Sequence, residues 1–140
     1  MQKNFIYNLK VYYEDTDAGG VVYYANYLKF LERARTEALL SVGLSNIKIR
    51  EEYGLIIVVK SCNIEYKKPA FLEDKLIVNS DVILMKKASL HMNQIIKRNN
   101  ELISKANVHL VFINKKGKPE KISDKIVEKF KPYFKNVRSK

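Results

Sequence analysis

The sequence predicts an α+β fold, in which one long helix packs against a curved antiparallel sheet of about five strands and a C-terminal helix follows. Helical periodicity runs over one long stretch only, residues 22–42. Four later stretches are long, apolar and rich in β-branched residues, with short turn signals between them. Consecutive strands with short connections are typical of antiparallel neighbours. The 140 residues predict a single domain, residues 1–140.

The first element is a half-buried strand over FIYNLKVYYE, residues 5–14. Apolar and polar residues alternate there, as expected for a strand with one face on the core. The buried face is predicted to carry Phe5, Tyr7, Leu9, Val11 and Tyr13. The next six residues, DTDAGG, contain the Asp and Gly residues that favour turns and end the strand.

The long helix is predicted over residues 22–42, because apolar residues recur there every three or four positions. The main stripe consists of Tyr27, Phe30, Leu31, Ala34, Ala38 and Val42. Leu28, Leu39 and Leu40 widen this stripe, so the helix is expected to be covered on more than one side. Asn26 is a suitable N-cap by residue type, although a first turn near Tyr23 is the alternative.

The remaining elements are a short helical or irregular stretch over residues 45–53, four strands and a last helix. The strands are predicted over residues 55–66, 75–85, 89–98 and 101–113, with turns at Asn99–Asn100 and Lys116–Gly117. For the last three strands, in order, the buried faces are predicted to carry Leu76, Val78, Val82 and Leu84, then Leu90, Met92 and Ile96, then Leu102, Ala106, Val108, Leu110 and Phe112. SDKIVEKF reads as an amphipathic helix with Ser123 as N-cap and Pro132 as a stop signal. One helix cannot cover both faces of such a sheet, which predicts oligomerisation.

The net charge of +11 is concentrated near the C-terminus, because residues 114–140 hold ten Lys and Arg and only three Asp and Glu, a net +7. Such a surface attracts polyanions, and an ordinary solvated lysine-rich surface is the alternative. Nucleic acid is not expected as a partner, since aromatic residues do not alternate with the basic ones in a stacking pattern.

A cytoplasmic location is expected from three further features of the chain. No signal peptide and no transmembrane segment is recognisable, since the longest apolar run covers only residues 55–59. Cys62 is the one cysteine and excludes an internal disulfide. It lies in an apolar strand and is expected to be a small buried side chain.

The acidic turn before the helix has two interpretations. It can be an ordinary polar turn with an Asp N-cap. It can also be a hydrolytic site, because a carboxylate beside unpaired amides at a helix start can activate water while the amides polarise a carbonyl. The glycines would let the backbone approach a ligand closely.

The segment YYEDTDAGGVVYYANYLKFLERARTEAL resembles the signature of hotdog-fold acyl-CoA thioesterases of the 4-hydroxybenzoyl-CoA thioesterase superfamily. It is most similar to the YbgC-type, Tol-Pal-associated branch. The pattern D-x-D-x-x-G is followed by V-V-Y and by a helix containing E-R-A-R, and KPAFLEDKL matches a second family segment. The resemblance covers the whole chain and implies a hotdog fold, hydrolysis of an acyl-CoA thioester and no metal or redox cofactor.

The resemblance assigns the catalytic carboxylate to Asp17, acting either as nucleophile or as general base for water. It implies that the backbone N–H of Tyr24 polarises the thioester carbonyl and that Gly20 permits close approach. Asn26 and Tyr27 are candidates for the substrate entrance, with core packing as the alternative for Tyr27. The branch usually has histidine where this chain has Tyr24, so imidazole assistance at that position is absent here.

Coenzyme A carries phosphate groups, and the segment MKKASL matches a phosphate-contacting segment of the family. Lys86, Lys87 and Ser89 are therefore substrate-binding candidates, with an ordinary basic hairpin as the alternative. In the E-R-A-R helix, Glu32 has the spacing to pair with Arg35, and Glu32 could also reach a partner's site. The two histidines, in separate strands without clustered ligands, do not predict a metal site.

The family forms dimers by joining sheets and tetramers from two dimers, so a homotetramer with sites at subunit interfaces is expected. Acyl carrier protein is a further possible partner. The alternative function is a non-catalytic or weakly catalytic module that binds acyl carrier protein or cell-envelope machinery. A hotdog dehydratase is disfavoured, because no histidine occurs near the central helix.

Overall fold

The computed structural model describes residues 3–134. Helices and strands follow one another in the order predicted from the sequence, and the fold is α+β with a five-stranded antiparallel sheet. The elements are β1 (Phe5–Lys10), α1 (Asn26–Ser41), α2 (Asn46–Tyr53), β2 (Ile56–Tyr66), β3 (Lys75–Met85), β4 (Ser89–Arg98), β5 (Glu101–Ile113) and α3 (Asp124–Phe130). Short 3₁₀ turns cover Tyr13–Asp15 and Lys131–Tyr133.

The strands lie in the order β1-β3-β4-β5-β2, and every neighbouring pair is antiparallel. Within the described chain, β1 and β2 are therefore the two edges of the sheet. The exposure of β2 differs from what its sequence suggests. β2 is nearly continuous in apolar residues at its start, yet Ile56 and Val59 are 43% and 49% exposed.

The core lies between α1 and the inward face of the sheet, and α1 buries the stripe that its periodicity predicts. Tyr27, Phe30, Leu31, Ala34 and Ala38 are buried together with Leu39, whereas Val42 is half-buried. The wider coverage predicted for α1 is not present in one chain. Leu28 and Leu40 are 45% and 49% exposed, because no described element packs on that side of the helix.

Bulges explain two errors in the predicted buried faces. The β3–β4 register shifts between Val82 and Leu84, so that Met85 is buried and Leu84 is only half-buried. The β4–β5 register shifts between Ile96 and Lys97, and Ile103 is buried where Leu102 was predicted. An extra residue in one strand reverses the alternation beyond it, and nothing in the apolar pattern marks its position.

The first strand ends earlier than predicted. β1 stops at Lys10, and the chain then turns through a 3₁₀ segment, so that Tyr13 is 80% exposed and not part of the buried face. The carboxylate of Asp15 accepts a hydrogen bond from the backbone N–H of Tyr12 at 2.9 Å, which stabilises this turn. Local capture of a backbone donor by an acidic side chain competes with strand pairing.

The predicted turns and caps are confirmed except at the start of α1. Asn99 and Asn100 both have positive φ, and the Ser123 Oγ accepts the backbone N–H of Lys125 at 3.3 Å. Asn26 is not the N-cap: Ala25 holds that position without a side-chain bond, and Asn26 is the first helical residue. Cys62 is half-buried, and this burial raises the pKa of its thiol.

None of the helices formed by residues 3–134 combines the length and the hydropathy that a membrane span requires. The prediction about the basic C-terminal stretch falls partly on residues 135–140, which lie outside the described residues.

Candidate active site

The loop between β1 and α1 forms a tight turn around Asp17. The backbone N–H of Asp17 donates to the carbonyl of Val21 at 2.9 Å, and the N–H of Gly20 donates to the carbonyl of Asp17 at 3.0 Å. Gly20 has φ of +81°, which a residue with a Cβ rarely adopts. The turn therefore depends on glycine at this position.

The carboxylate of Asp17 is oriented by the same loop. Its Oδ1 accepts a hydrogen bond from the backbone N–H of Gly19 at 2.8 Å, and the side chain is exposed. Within the described residues its Oδ2 has no hydrogen-bond partner. A Cβ at Gly19 would lie 3.3 Å from Oδ1, closer than is usual for such contacts. Asp17 thus presents one free carboxylate oxygen to solvent from a fixed position.

Asp15 has a different environment from Asp17, although only one residue separates them. Asp15 is 7% exposed, and besides bonding Tyr12 it anchors the start of the helix through its carbonyl. That carbonyl accepts the backbone N–H of Tyr23 at 3.0 Å and the side-chain Nδ2 of Asn26 at 2.8 Å. These contacts give Asp15 a structural role in the loop.

The residues that lead into α1 leave an amide available near this loop. The N–H of Asn26 donates to the carbonyl of Tyr23, and the N–H of Tyr27 donates to that of Tyr24. Among the described residues the N–H of Tyr24 itself has no acceptor. An unpaired amide before a helix carries partial positive charge and can bind a developing oxyanion.

Aromatic side chains surround the loop but do not close it. Tyr23 and Tyr24 are 48% and 61% exposed, with ring centroids 4.9 Å apart. Tyr66, from the end of β2, packs edge-on against Tyr24 at 6.2 Å. One chain alone therefore does not enclose the loop or exclude water from it.

Asn26 and Tyr27 are both buried and bonded within the protein. The hydroxyl of Tyr27 accepts the backbone N–H of Ala70 at 3.1 Å, and its ring lies 5.3 Å from that of Tyr66. Burial raises the pKa of this hydroxyl. The contacts of Tyr27 fit the core-packing alternative.

The basic hairpin between β3 and β4 lies far from Asp17 in one chain. Val21 bridges Phe71, just before β3, whereas Lys86, Lys87 and Ser89 follow the other end of that strand. The strand has 11 residues. At about 3.3 Å per residue it separates the two sites by roughly 35 Å. Lys86 and Lys87 are exposed and Ser89 is half-buried.

A cavity of about 320 Å³ lies at this second end of the molecule, between α1, α2 and the sheet. Its walls are mostly apolar, and neither Asp17 nor Tyr24 lines it. Representative lining residues are Leu39, Ile57, Val82, Leu90, Leu110 and Phe112. We call it the α1–β2 cavity. Its volume is in the range typical of small-molecule pockets, about 300–1,000 Å³.

Sequence reasoning missed three contributors to these sites. Gly19 orients Asp17, and the Asp-x-Gly spacing was a usable signal, because Asp commonly accepts the N–H two residues later. Tyr66 and Gln94 lie far from the motif in sequence, so only the fold brings them to α1.

Glu32 is exposed and accepts a hydrogen bond from the Thr36 hydroxyl at 2.7 Å. In the part of the chain that the structure describes, it makes no ion pair with Arg35. The stacked rings of His91 and His109 lie 4.0 Å apart on neighbouring strands. No group of three or more His, Cys, Asp or Glu side chains within residues 3–134 is arranged to hold a metal ion.

Comparison with known proteins gives a consistent result. The family model described as thioesterase-like superfamily matches residues 11–130. "Acyl-CoA thioesterase YbgC" of Haemophilus influenzae is 42% identical over 114 residues, covering 81% of this chain and 84% of that protein. "Acyl-CoA thioester hydrolase YbgC" of Escherichia coli O6:H1 is 40% identical over 129 residues, covering 91% and 96%.

The fold has close counterparts among solved structures. A "Probable Thioesterase from Bartonella henselae" superposes with a TM-score of 0.83 at 31% identity, covering 86% of this chain and all (100%) of that one.

Proposed function

Because the chain belongs to the thioesterase-like superfamily, we propose that it is an acyl-CoA thioesterase, converting an acyl-CoA and water into a carboxylic acid and coenzyme A. The observation that carries the mechanism is the loop that holds one free oxygen of Asp17 and an unpaired N–H at Tyr24. Relatives at 40–42% identity whose names specify this reaction support the substrate class.

In the general-base form of the mechanism, Asp17 takes a proton from water while the water oxygen bonds to the thioester carbon. The resulting oxyanion accepts a hydrogen bond from the N–H of Tyr24. The C–S bond then breaks, and the thiolate of coenzyme A takes up the proton held by Asp17, which restores the free carboxylate. A carboxylate and a fixed amide donor supply this chemistry without a metal or redox cofactor.

In the nucleophilic form, an oxygen of Asp17 bonds to the carbonyl carbon and expels the thiolate. The product of that step is a mixed anhydride between Asp17 and the acyl group, which water hydrolyses to release the acid and free carboxylate. Both forms need the same exposed oxygen and the same amide. Gly20 adds no side chain beside the loop, and the space at its Cβ position is open to a ligand, since nothing in the described chain lies within 4 Å of that position.

We further propose that two copies pair through β2. In the described chain β2 has a strand neighbour, β5, on one side only, and it exposes Ile56, Val59 and Tyr66. An edge strand of 11 residues with apolar side chains favours pairing with another strand. Antiparallel pairing of the two β2 strands would make one continuous sheet, which agrees with the family's mode of assembly. A dimer of such dimers is the expected tetramer.

This pairing would complete the site. Tyr66, at one end of β2, contacts the backbone of Tyr24, whereas Ile56, at the other end, lies at the same end of the sheet as the β3–β4 hairpin, with β5 between them. Antiparallel pairing about a twofold axis places the Tyr66 end of one copy next to the Ile56 end of the other. Lys86 and Lys87 of one copy would then serve the site that contains Asp17 of the other copy.

The phosphates of coenzyme A are the expected ligands of these lysines. Two ammonium groups on an exposed hairpin attract phosphate without demanding one geometry, because lysine acts as a point charge. The surface also suits an acidic acyl carrier protein, and the reaction is proposed to take place in the cytoplasm.

A panel of acyl-CoA thioesters of increasing chain length, followed by release of free thiol, tests the proposal. We expect turnover of at least one member, with kcat/KM in the range of about 10⁴–10⁸ M⁻¹s⁻¹ common to enzymes. An absence of turnover across the panel, together with salt-sensitive binding of acyl carrier protein, would instead favour the binding module.

A further inference from the structure

The α1–β2 cavity has mostly apolar walls, yet the charged guanidinium of Arg35 lies among its lining residues. Among the described residues that line it, the charged ones are Glu32, Arg35 and Arg50. Arg35 is half-buried, and burial is the main reason that its pKa is lowered. A guanidinium partly withdrawn from water requires compensating hydrogen bonds or an anion.

A buried network fixes the position of this guanidinium. Its Nη1 donates to Oε1 of Gln94 at 2.9 Å. Gln94 is fully buried at 0% exposure, and its Nε2 donates to the carbonyl of Leu31 at 3.1 Å and to Oγ of Ser80 at 3.0 Å. Because both donors of the Gln94 amide are engaged, its oxygen is held in place to accept from Arg35.

The hydrogen-bonding partners of the network, Gln94, Ser80 and the Leu31 carbonyl, are neutral. Among the ion pairs of residues 3–134, Arg35 has no carboxylate within 4.0 Å. The charge of Glu32 raises the pKa of Arg35 from farther away but does not outweigh burial, and the Glu32 carboxylate bonds the Thr36 hydroxyl. Arg50 interacts with its neighbour Glu51 at 3.4 Å. An arginine carries five N–H donors, and the described protein atoms accept only one hydrogen bond from Arg35. The remaining donors are available to a ligand.

We propose that the α1–β2 cavity binds the far end of an acyl group that carries a terminal carboxylate, with Arg35 as the residue that recognises it. This inference rests on the proposed thioesterase function and specifies its substrate class as monothioesters of aliphatic dicarboxylic acids. The apolar walls contact the methylene chain, and the carboxylate accepts hydrogen bonds from Arg35 at the polar end.

The position of the cavity fits this role in the proposed dimer. Ile56, Ile57 and Val59 of β2 line it, and they lie at the opposite end of the strand from Tyr66. Antiparallel β2 pairing would therefore bring the cavity of one copy to the loop that holds Asp17 in the other. The phosphate-binding hairpin lies at the same end, so one copy would hold both ends of the substrate.

Matched six-carbon thioesters test the inference. Hexanoyl-CoA and adipoyl-CoA differ at the far end, where a methyl group replaces the carboxylate. For the wild type we expect kcat/KM for adipoyl-CoA to exceed that for hexanoyl-CoA by at least about tenfold, as expected for a hydrogen-bonded ion pair. Arg35→Met should reduce this ratio to about one or below.

Arg33→Met is the matched control, since Arg33 is exposed on the same helix and does not line the cavity. It should leave the ratio unchanged. A wild-type ratio near one, or a high ratio that persists in Arg35→Met, would overturn the inference while hydrolysis of hexanoyl-CoA would still support the thioesterase function.

Binding of free adipate provides a readout that does not depend on catalysis. Calorimetry with the wild type should detect adipate binding and no binding of adipamide, the uncharged diamide of the same length, at equal concentration. If Arg35→Met does not fold, Arg35→Lys should retain only part of the adipate affinity, because lysine cannot form the two parallel bonds of a guanidinium. Equal binding of adipate and adipamide by the wild type would exclude carboxylate recognition.

Discussion

The hydroxyl of Tyr66 donates a hydrogen bond of 3.3 Å to the backbone carbonyl of Tyr24, which ties the end of β2 to the residues that open α1. Tyr66→Phe removes this bond and retains the ring contacts with Tyr24 and Tyr27. We expect kcat/KM for an acyl-CoA to fall about two- to tenfold, as for the loss of one neutral hydrogen bond. Steady-state thiol release measures the effect, and an unchanged kcat/KM would argue against a link between β2 and the site.

Asp17→Asn should lower kcat by at least about a hundredfold with the fold intact, because the amide can neither accept a proton from water nor attack the carbonyl. The N–H of Gly19 can still bond the amide oxygen, so circular dichroism and thermal unfolding should match the wild type. Hydrolysis near the wild-type rate would refute the mechanism.

Asp15→Ala is the informative comparison, because removal of the carboxylate at this position acts on stability. The substitution removes the acceptor of the partly buried Tyr12 N–H. We expect a loss of about 1.5–3 kcal/mol in the free energy of unfolding, the usual contribution of a hydrogen bond to a charged group. Urea unfolding would detect it.

Charge reversal in the hairpin should weaken binding of the nucleotide part of the substrate. Lys86→Glu combined with Lys87→Glu is expected to raise KM for acyl-CoA about tenfold or more, since two attractive charges become repulsive. KM for the corresponding acyl-pantetheine, which lacks the nucleotide phosphates, should change little. Lys115→Glu with Lys116→Glu, in another exposed turn, is the matched control.

Mixed dimers test whether the hairpin acts in the partner's site. Asp17→Asn chains and Lys86→Glu/Lys87→Glu chains are each impaired, but a hybrid would contain one site with both intact groups. Random exchange should restore about a quarter of the wild-type activity at substrate concentrations below KM. If hybrids form without any gain over the separate variants, both groups act within one chain or the pairing is different.

The histidine pair predicts a pH dependence of stability. Burial is the first cause that lowers the pKa of His109, and His91, Lys60 and Lys86 add to it. The unfolded chain therefore binds a proton at His109 more readily than the folded chain does. His109 contributes its full stability above the unfolded value of about 6.5, and this contribution is lost as the pH falls through the lower folded pKa. The urea midpoint of the wild type should fall more between pH 7.5 and 5.5 than that of His109→Gln.

The strand boundaries could be predicted from sequence because alternation and turn residues are local signals. The predicted range for β3, residues 75–85, equals the observed one. Bulges interrupted that regularity at Leu84 and near Leu102, and their positions depend on pairing between strands. The loop around Asp17 was likewise readable from its residues, since its hydrogen bonds join close neighbours.

Arg35 and Gln94 illustrate the part that could not be predicted. Their contact joins residues 59 positions apart, and helical spacing suggested Glu32 as the partner of Arg35 instead. Gln94 is a polar residue at a buried, inward-facing position of β4. The alternation of apolar residues along the strand does not indicate why a polar residue is needed there. Only the packed sheet brings its amide to the helix.

The loop around Asp17 and the α1–β2 cavity lie toward opposite ends of α1 and share no residue. Substitutions in the cavity walls outside the β2 edge can therefore accumulate without disturbing the loop or the proposed pairing. After gene duplication, such a chain can diverge toward new acyl groups in small steps while every intermediate remains able to react. This separation makes the fold a favourable starting point for evolving specificity in the laboratory, with libraries confined to the cavity.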